Sequence, residues 1–191
     1  WVLLGGVNAM FTSCGDFLDQ ESDRVISADK DRLNAASDTL YSVIGIMNKL
    51  QALSDRTILL GELRGDLSEV QDNASADLRE LANFNVSTEN KYNAPRDYYA
   101  VINNCNYFLA KADTMVKNSK NERIFAKEYA AVKAFRAWTY LQLVLNYGKV
   151  PLITTPILTK DDADRQYEMK DIQGICNYFA SDIAPYANVE T

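Results

Sequence analysis

Apolar residues recur along this chain at intervals of three and four positions, the spacing that places them on one face of an α-helix. Ser27 or Asp29 is placed to cap the first of these segments, and Pro95 is suited to open another. One stretch, residues 150–157, is bounded by prolines and is predicted to be extended. The periodicity predicts helices over residues 29–53, 58–67, 78–84, 95–115, 124–147 and 172–183.

The helix predicted over residues 124–147 carries apolar residues on nearly every face, which is typical of a helix buried by its neighbours. Gly148 is suited to a left-handed conformation that closes the helix, and Pro151 prevents its continuation. Arg136 lies in the middle of this helix. An unpaired buried guanidinium is costly, so we expect it to pair with a carboxylate or to bind carbonyls.

Several polar positions lead to narrower predictions. Residues 160–164 are expected to form a solvated linker, and Tyr92 is the tyrosine most expected to be exposed, in a polar loop over residues 85–93. Asp171 is expected to cap the last helix. Cys105 and Cys176 are favoured as small buried hydrophobes. A disulfide between them would be permitted in an exported protein.

Composition narrows the possible functions. With 191 residues, 47% of them hydrophobic, the chain is long enough for one domain with a core. A net charge of −6 without a Lys/Arg cluster argues against nucleic acid as a partner. The chain has no histidine, the commonest general base and metal ligand. We therefore predict no catalytic residues, no metal site and no cofactor.

Three segments together carry a resemblance to a known family. The first segment is CGDFLD at residues 14–19. The second lies in one predicted helix and consists of Tyr99, Ile102, Asn103, Asn106 and Leu109. The third begins in the next predicted helix and consists of FRAW at 135–138, Tyr140, Leu143 and YGKVPL at 147–152. In this order they resemble the SusD/RagB family, which are nutrient-binding outer-membrane lipoproteins of Bacteroidetes. Because members of that family are much longer, the resemblance places this chain in their N-terminal part.

The resemblance implies an all-α fold of paired helices in a tetratricopeptide-like scaffold with polar loops. It also implies a surface-exposed lipoprotein of the outer membrane that binds a glycan or another nutrient. The ligand would be an oligosaccharide or a peptide, and it would be delivered to a TonB-dependent, SusC-like transporter. The alternative is a helical protein–protein interaction module with no ligand site of its own.

The N-terminus is interpreted in three parts. Residues 1–13 read as a truncated signal peptide, residues 14–28 as a lipid-anchored segment, and residues 29–191 as the SusD-like helical domain. The sequence FTSC at residues 11–14 resembles a bacterial lipobox, so Cys14 is predicted to be the lipid anchor and the contact with the membrane. The alternative is an ordinary signal peptide followed by an incidental cysteine.

A ligand surface is predicted in the turn-prone stretch 62–77. Its candidate residues are Arg64, Asp66, Asp72 and Asn73. Their planar charged and amide groups can donate and accept hydrogen bonds in pairs, as sugar hydroxyls require. The alternative is that these polar residues only cap the neighbouring helices.

Overall fold

The computed structural model describes residues 33, 36–65, 67–115 and 117–189. These residues form an all-α fold, which confirms the predicted class. Its helices are α1 Ala36–Gln51, α2 Ser54–Glu62, α3 Ala76–Ala82, α4 Pro95–Met115, α5 Ala126–Tyr147, α6 Lys160–Asp164 and α7 Ile172–Ile183, followed by a 3-10 turn, Ala184–Tyr186. Two short strands, β1 Val150–Pro151 and β2 Met169–Lys170, pair antiparallel.

The core is built around the pair of long helices α4 and α5, with α1 and α7 packed against them. Both long helices place apolar side chains at helical spacing on their shared face, so packing removes these side chains from water and stabilises the pair. The fully buried members include Tyr98, Val101, Ile102, Cys105 and Phe108 from α4, and Val132, Tyr140, Leu143 and Val144 from α5.

A second, smaller cluster joins α2, α3 and the loop before α4. Its buried members are Leu60, Leu63, Leu81 and Tyr92. Tyr92 is only 7% exposed, so the prediction that this tyrosine is exposed is wrong. Lys91 is exposed and Asn93 donates to the Ser87 carbonyl at 3.1 Å, while the ring of Tyr92 packs on leucines from α2, from the C-terminal end of α2 and from α3.

The boundaries of α3, α4, α5 and α7 agree with the predicted ones within two residues, whereas two segments differ. The helix predicted over residues 58–67 begins and ends several residues earlier, as α2. The predicted caps Ser27 and Asp29 lie outside the described residues. The helix α4 covers residues 95–115 as predicted. Asp171 accepts a hydrogen bond from the Gly174 N–H at 2.9 Å, which confirms it as a helix cap. Residues 160–164, expected to be a linker, form the helical turn α6, because Thr159 and Asp162 cap its first N–H groups reciprocally.

The helix α5 is buried on one side only. Its residues Val132, Arg136 and Leu143 lie in the core, whereas Trp138 is 40% and Leu145 57% exposed. The expectation that neighbours cover this helix on every face is therefore wrong for the described residues. Buried and exposed positions alternate with the helical period, so α5 forms one wall of the core.

The end of α5 is a tight turn at Gly148. This residue has φ of 77° and ψ of −68°, and the Lys149 N–H donates to the Tyr147 carbonyl at 2.9 Å. These values describe a classic γ-turn, which L side chains rarely adopt. The predicted positive φ is confirmed, although ψ differs from that of a left-handed helical residue.

Candidate functional site

Of the four predicted ligand residues, the structure describes Arg64, Asp72 and Asn73. Arg64 is half-buried just after α2, while Asp72 and Asn73 are exposed in the turn before α3. The Asp72 carbonyl accepts a hydrogen bond from Arg79 at 3.1 Å. Asp66 and the predicted lipid anchor Cys14 lie outside the described residues. The proposed ligand surface at these four positions stays a prediction.

Arg64 borders a pocket of about 100 Å³. The pocket is lined by Leu60, Arg64, Val86, Tyr92, Asn93, Asn146 and Tyr147, a set that does not include Asp72 or Asn73. Small-molecule sites usually occupy about 300–1,000 Å³. This pocket by itself therefore holds no more than a small group of a ligand.

Tyr147, which lines this pocket, and the neighbouring Tyr98 both have raised pKa values. Burial, reinforced by the neighbouring Tyr98, raises the pKa of Tyr147 to about 12. The two rings meet edge to face, with centroids 6.2 Å apart. The Tyr98 hydroxyl is buried and has no hydrogen-bond partner among the described residues. Its pKa is also raised, chiefly by burial.

A larger recess lies between α1 and α4. It consists of two adjoining pockets of about 240 and 320 Å³, both bordered by Lys49. We call this recess the α1–α4 groove. Its lining residues are Ser42, Gly45, Ile46, Lys49, Ala52 and Leu53, then Arg56 of α2, and Asp97, Ala100, Asn104, Tyr107 and Phe108 of α4.

Sequence reasoning did not identify the α1–α4 groove, because its two long walls are separated by about 50 residues of chain. One local signal was present. Gly45 lies in the middle of α1, where glycine is unfavourable compared with alanine. A Cβ atom built at Gly45 meets no atom within 4 Å, so this glycine lies beside open space.

The helical residues that carry the family resemblance converge on the extended segment, residues 150–157. Tyr99 donates to the Pro151 carbonyl at 2.8 Å. Asn103 both accepts from the Ile157 N–H, at 2.7 Å, and donates to the Ile157 carbonyl, at 3.1 Å. These helical side chains therefore provide the hydrogen bonds that a neighbouring strand would otherwise supply.

Asn106 and Tyr140 also contact this segment. Asn106 donates to the carbonyls of Ile153 and Thr155 at 2.9 and 3.1 Å. Tyr140 accepts from the Ile153 N–H at 2.7 Å. Tyr99, Asn103 and Asn106 lie at positions i, i+4 and i+7 of α4, and therefore on one face of the helix.

Arg136 links this segment to α7. Its guanidinium, only 4% exposed, donates to Asn106 Oδ1 at 2.8 Å and to Asp182 Oδ2 at 2.8 Å. It also donates to the Thr154 carbonyl at 3.4 Å. The prediction that Arg136 is paired is confirmed.

Asp182 is shared by two cations. Lys133 Nζ lies 2.5 Å from its second oxygen. Burial raises the pKa of Asp182, but its hydrogen bonds to Lys133 and Arg136 and their positive charges outweigh burial, so the net shift is downward. The group therefore acts as a structural carboxylate that stays ionised at neutral pH.

The two described cysteines differ in exposure. Both are free. Cys105 is buried as predicted, and burial raises the pKa of its thiol to about 12, which makes it unreactive. Cys176 is exposed, because it lies on the outer side of α7 next to the buried Ile175. The prediction of a buried thiol is wrong for Cys176.

The described part of the chain lacks two features, a cluster of metal ligands and a membrane-spanning helix. It contains no cluster of three or more Cys, Asp or Glu side chains suited to a metal ion. None of its helices is both long enough and apolar enough to span a membrane. Comparisons of the sequence with protein-family models and with curated proteins, and of the fold with solved structures, gave no match.

Proposed function

We propose that this chain is part of a surface-exposed outer-membrane lipoprotein of the SusD/RagB type. It binds a glycan or another nutrient and delivers it to a TonB-dependent transporter. The observation that supports the proposal best is the set of contacts around residues 150–157. Tyr99, Asn103, Asn106, Arg136 and Tyr140, which carry the resemblance, all contribute to it.

These residues come from two helices that are about 30 positions apart in sequence. A chance match to a family pattern has no reason to bring its members into contact. Here Arg136 donates directly to Asn106, and Tyr99 reaches Pro151, which belongs to the closing part of the pattern. The resembling positions are therefore connected by hydrogen bonds in the folded chain, and this connection supports the proposal.

The proposal is tested by ligand binding to the complete natural protein. Calorimetry against soluble oligosaccharides and peptides should find a ligand, and the protein should copurify with a TonB-dependent transporter encoded beside it. Replacing Arg64, Asp66, Asp72 and Asn73 together by alanine should weaken that binding without changing the melting temperature. Unchanged affinity would remove these four residues from the site, and the absence of both ligand and transporter would refute the proposal.

A second candidate, a helical protein–protein interaction module, is favoured by the exposed apolar surface. On α1, Leu40, Ile44 and Met47 are 52%, 42% and 51% exposed and share one face. Exposed apolar stripes of this kind are typical of interaction surfaces. This candidate predicts a protein partner and no small ligand, so the same screen separates it from the first.

A further inference from the structure

We propose that the α1–α4 groove binds an acidic oligosaccharide, that is, a sugar chain whose rings carry carboxylates. The geometry of the groove indicates the position of this site. The choice of a sugar rests on the proposed function. The site lies apart from the pocket that contains Arg64, since the two have no lining residue in common.

The shape of the groove suits an elongated ligand. Its wall on α1 runs from Ser42 to Lys49, which corresponds to about 10 Å at the rise of an α-helix, and continues along Ala52 and Leu53 beyond the end of α1. Small residues line both parts of it, with Gly45 in one pocket and with Ala52 and Ala100 in the other. The two adjoining pockets together fall within the usual size range of ligand sites.

The charge of the groove favours an anion. Lys49 lies where the two pockets meet and is exposed. It forms no ion pair with any described residue. Arg56 is bound by Asp97 at 2.7 Å and by the Lys91 carbonyl at 3.2 Å, yet its Nε is buried with no hydrogen-bond partner. Two cations thus face one carboxylate, in a chain whose net charge is −6.

The remaining lining residues suit sugar rings. Tyr107 is 38% exposed, and Lys111 Nζ lies over its ring, 5.7 Å from the centroid. A pyranose would stack its apolar face on the side of the ring opposite Lys111. Asn104, three residues before Tyr107 on α4, offers an amide that both donates and accepts hydrogen bonds, as a pair of vicinal hydroxyls requires. A flat aromatic surface beside an amide, with a cation farther along, matches a sugar chain with spaced carboxylates.

The test measures binding of hexagalacturonate to the full chain by calorimetry. Lys49→Glu should weaken binding at least tenfold, because it places a negative charge where the ligand carboxylates lie. The matched control is Lys127→Glu, another exposed helical lysine, outside the groove. The control should stay within twofold of the unsubstituted chain.

A second pair of variants tests the groove by its shape. Gly45→Phe should fill the groove and abolish binding while the melting temperature is maintained, because a side chain at Gly45 enters open space. The matched control is Gly61→Phe, since Gly61 is also helical and also faces open space. It should bind hexagalacturonate as the unsubstituted chain does.

Each contrary result has a distinct meaning. If hexagalacturonate does not bind, or if Gly45→Phe and Gly61→Phe weaken it equally, the groove is not the site. If hexaglutamate binds as tightly as hexagalacturonate, the groove recognises charge alone and the assignment to sugar is wrong. If the complete protein binds a neutral glycan with an affinity that survives Lys49→Glu, the proposed function stands and the groove proposal fails.

Discussion

At the residue scale, the most consequential side chain is Arg136. Its guanidinium contacts α4 through Asn106, α7 through Asp182 and the extended segment through Thr154. A charge buried in this way is tolerated because each of these partners satisfies part of its hydrogen-bonding capacity. The residue therefore joins three parts of the core.

We expect Arg136→Ala to lower the free energy of unfolding by about 3 kcal/mol, the scale for removing one member of a buried ion pair. Urea denaturation provides the measurement. Arg165→Ala is the control, because Arg165 pairs with Asp162 at an exposed position. The control should change stability by less than about 0.5 kcal/mol. Equal effects of the two substitutions would show that Arg136 is not buried.

The ion pairs of Asp182 predict how the free energy of unfolding depends on pH. The pKa of folded Asp182 lies below its ordinary value of about 3.9. The stabilisation that ionised Asp182 gives to the fold is therefore complete above about pH 4. It is lost as the pH falls through the pKa of Asp182 in the folded chain, which is lower than its pKa in the unfolded chain. In that range the unfolded chain binds a proton that the folded chain does not.

We accordingly expect Asp182→Asn to flatten the decrease in unfolding free energy below about pH 4. The measurement is chemical denaturation repeated at several acidic pH values. Asp161→Asn, at an exposed position, should retain the slope of the unsubstituted chain. A slope that Asp182→Asn leaves unchanged would mean that the ion pairs to Lys133 and Arg136 contribute nothing to acid stability.

At the scale of elements, the γ-turn at Gly148 determines where α5 ends. A Cβ atom at this position would meet no atom within 4 Å, so an alanine is penalised only by its backbone conformation. We expect Gly148→Ala to destabilise the fold by about 1–3 kcal/mol. Gly45→Ala, in the middle of α1, should stabilise it by up to about 1 kcal/mol. Thermal unfolding of the two variants should therefore shift in opposite directions.

The long helices could be predicted from sequence because their apolar period is sustained over many turns. The helical turn α6 was missed because residues 160–164 carry no apolar period, although Thr159 and Asp162 have the spacing of a capping pair. The burial of Tyr92 could not be predicted from its neighbours in sequence, since the leucines around it come from α2 and α3. Cys176 was misjudged because one helical position separates a buried from an exposed side chain.

The candidate sites were less predictable than the helices. The residues that carry the family resemblance could be identified from the sequence. Their common contact with residues 150–157 could not, because it arises only when α4 and α5 pack together. The α1–α4 groove likewise depends on how Lys49 and Tyr107 are brought near each other by packing. Periodicity predicts which face of a helix is buried, and the partner of that face is determined by the tertiary structure.

At the scale of the whole molecule, attachment to the membrane is the feature to test. We expect Cys14→Ala, introduced into the complete precursor, to release the protein from the membrane fraction, because the acyl chains of a bacterial lipoprotein provide its attachment. Fractionation and immunoblotting measure the result. Cys176→Ala is the matched control and should leave the protein attached. A Cys14→Ala protein that remains bound would exclude Cys14 as the anchor.

The extended segment has a consequence for how the sequence can vary. The helices bind residues 150–157 through the backbone of the segment. Every amino acid provides the carbonyl group, and every one except proline provides the N–H. The backbone path of this segment is therefore determined mainly by Asn103, Asn106 and their neighbours. A library randomised at Thr154 and Thr155 should keep most of its members folded, whereas one randomised at Asn103 and Asn106 should keep few. The segment can thus accept new side chains at its surface without a change of path.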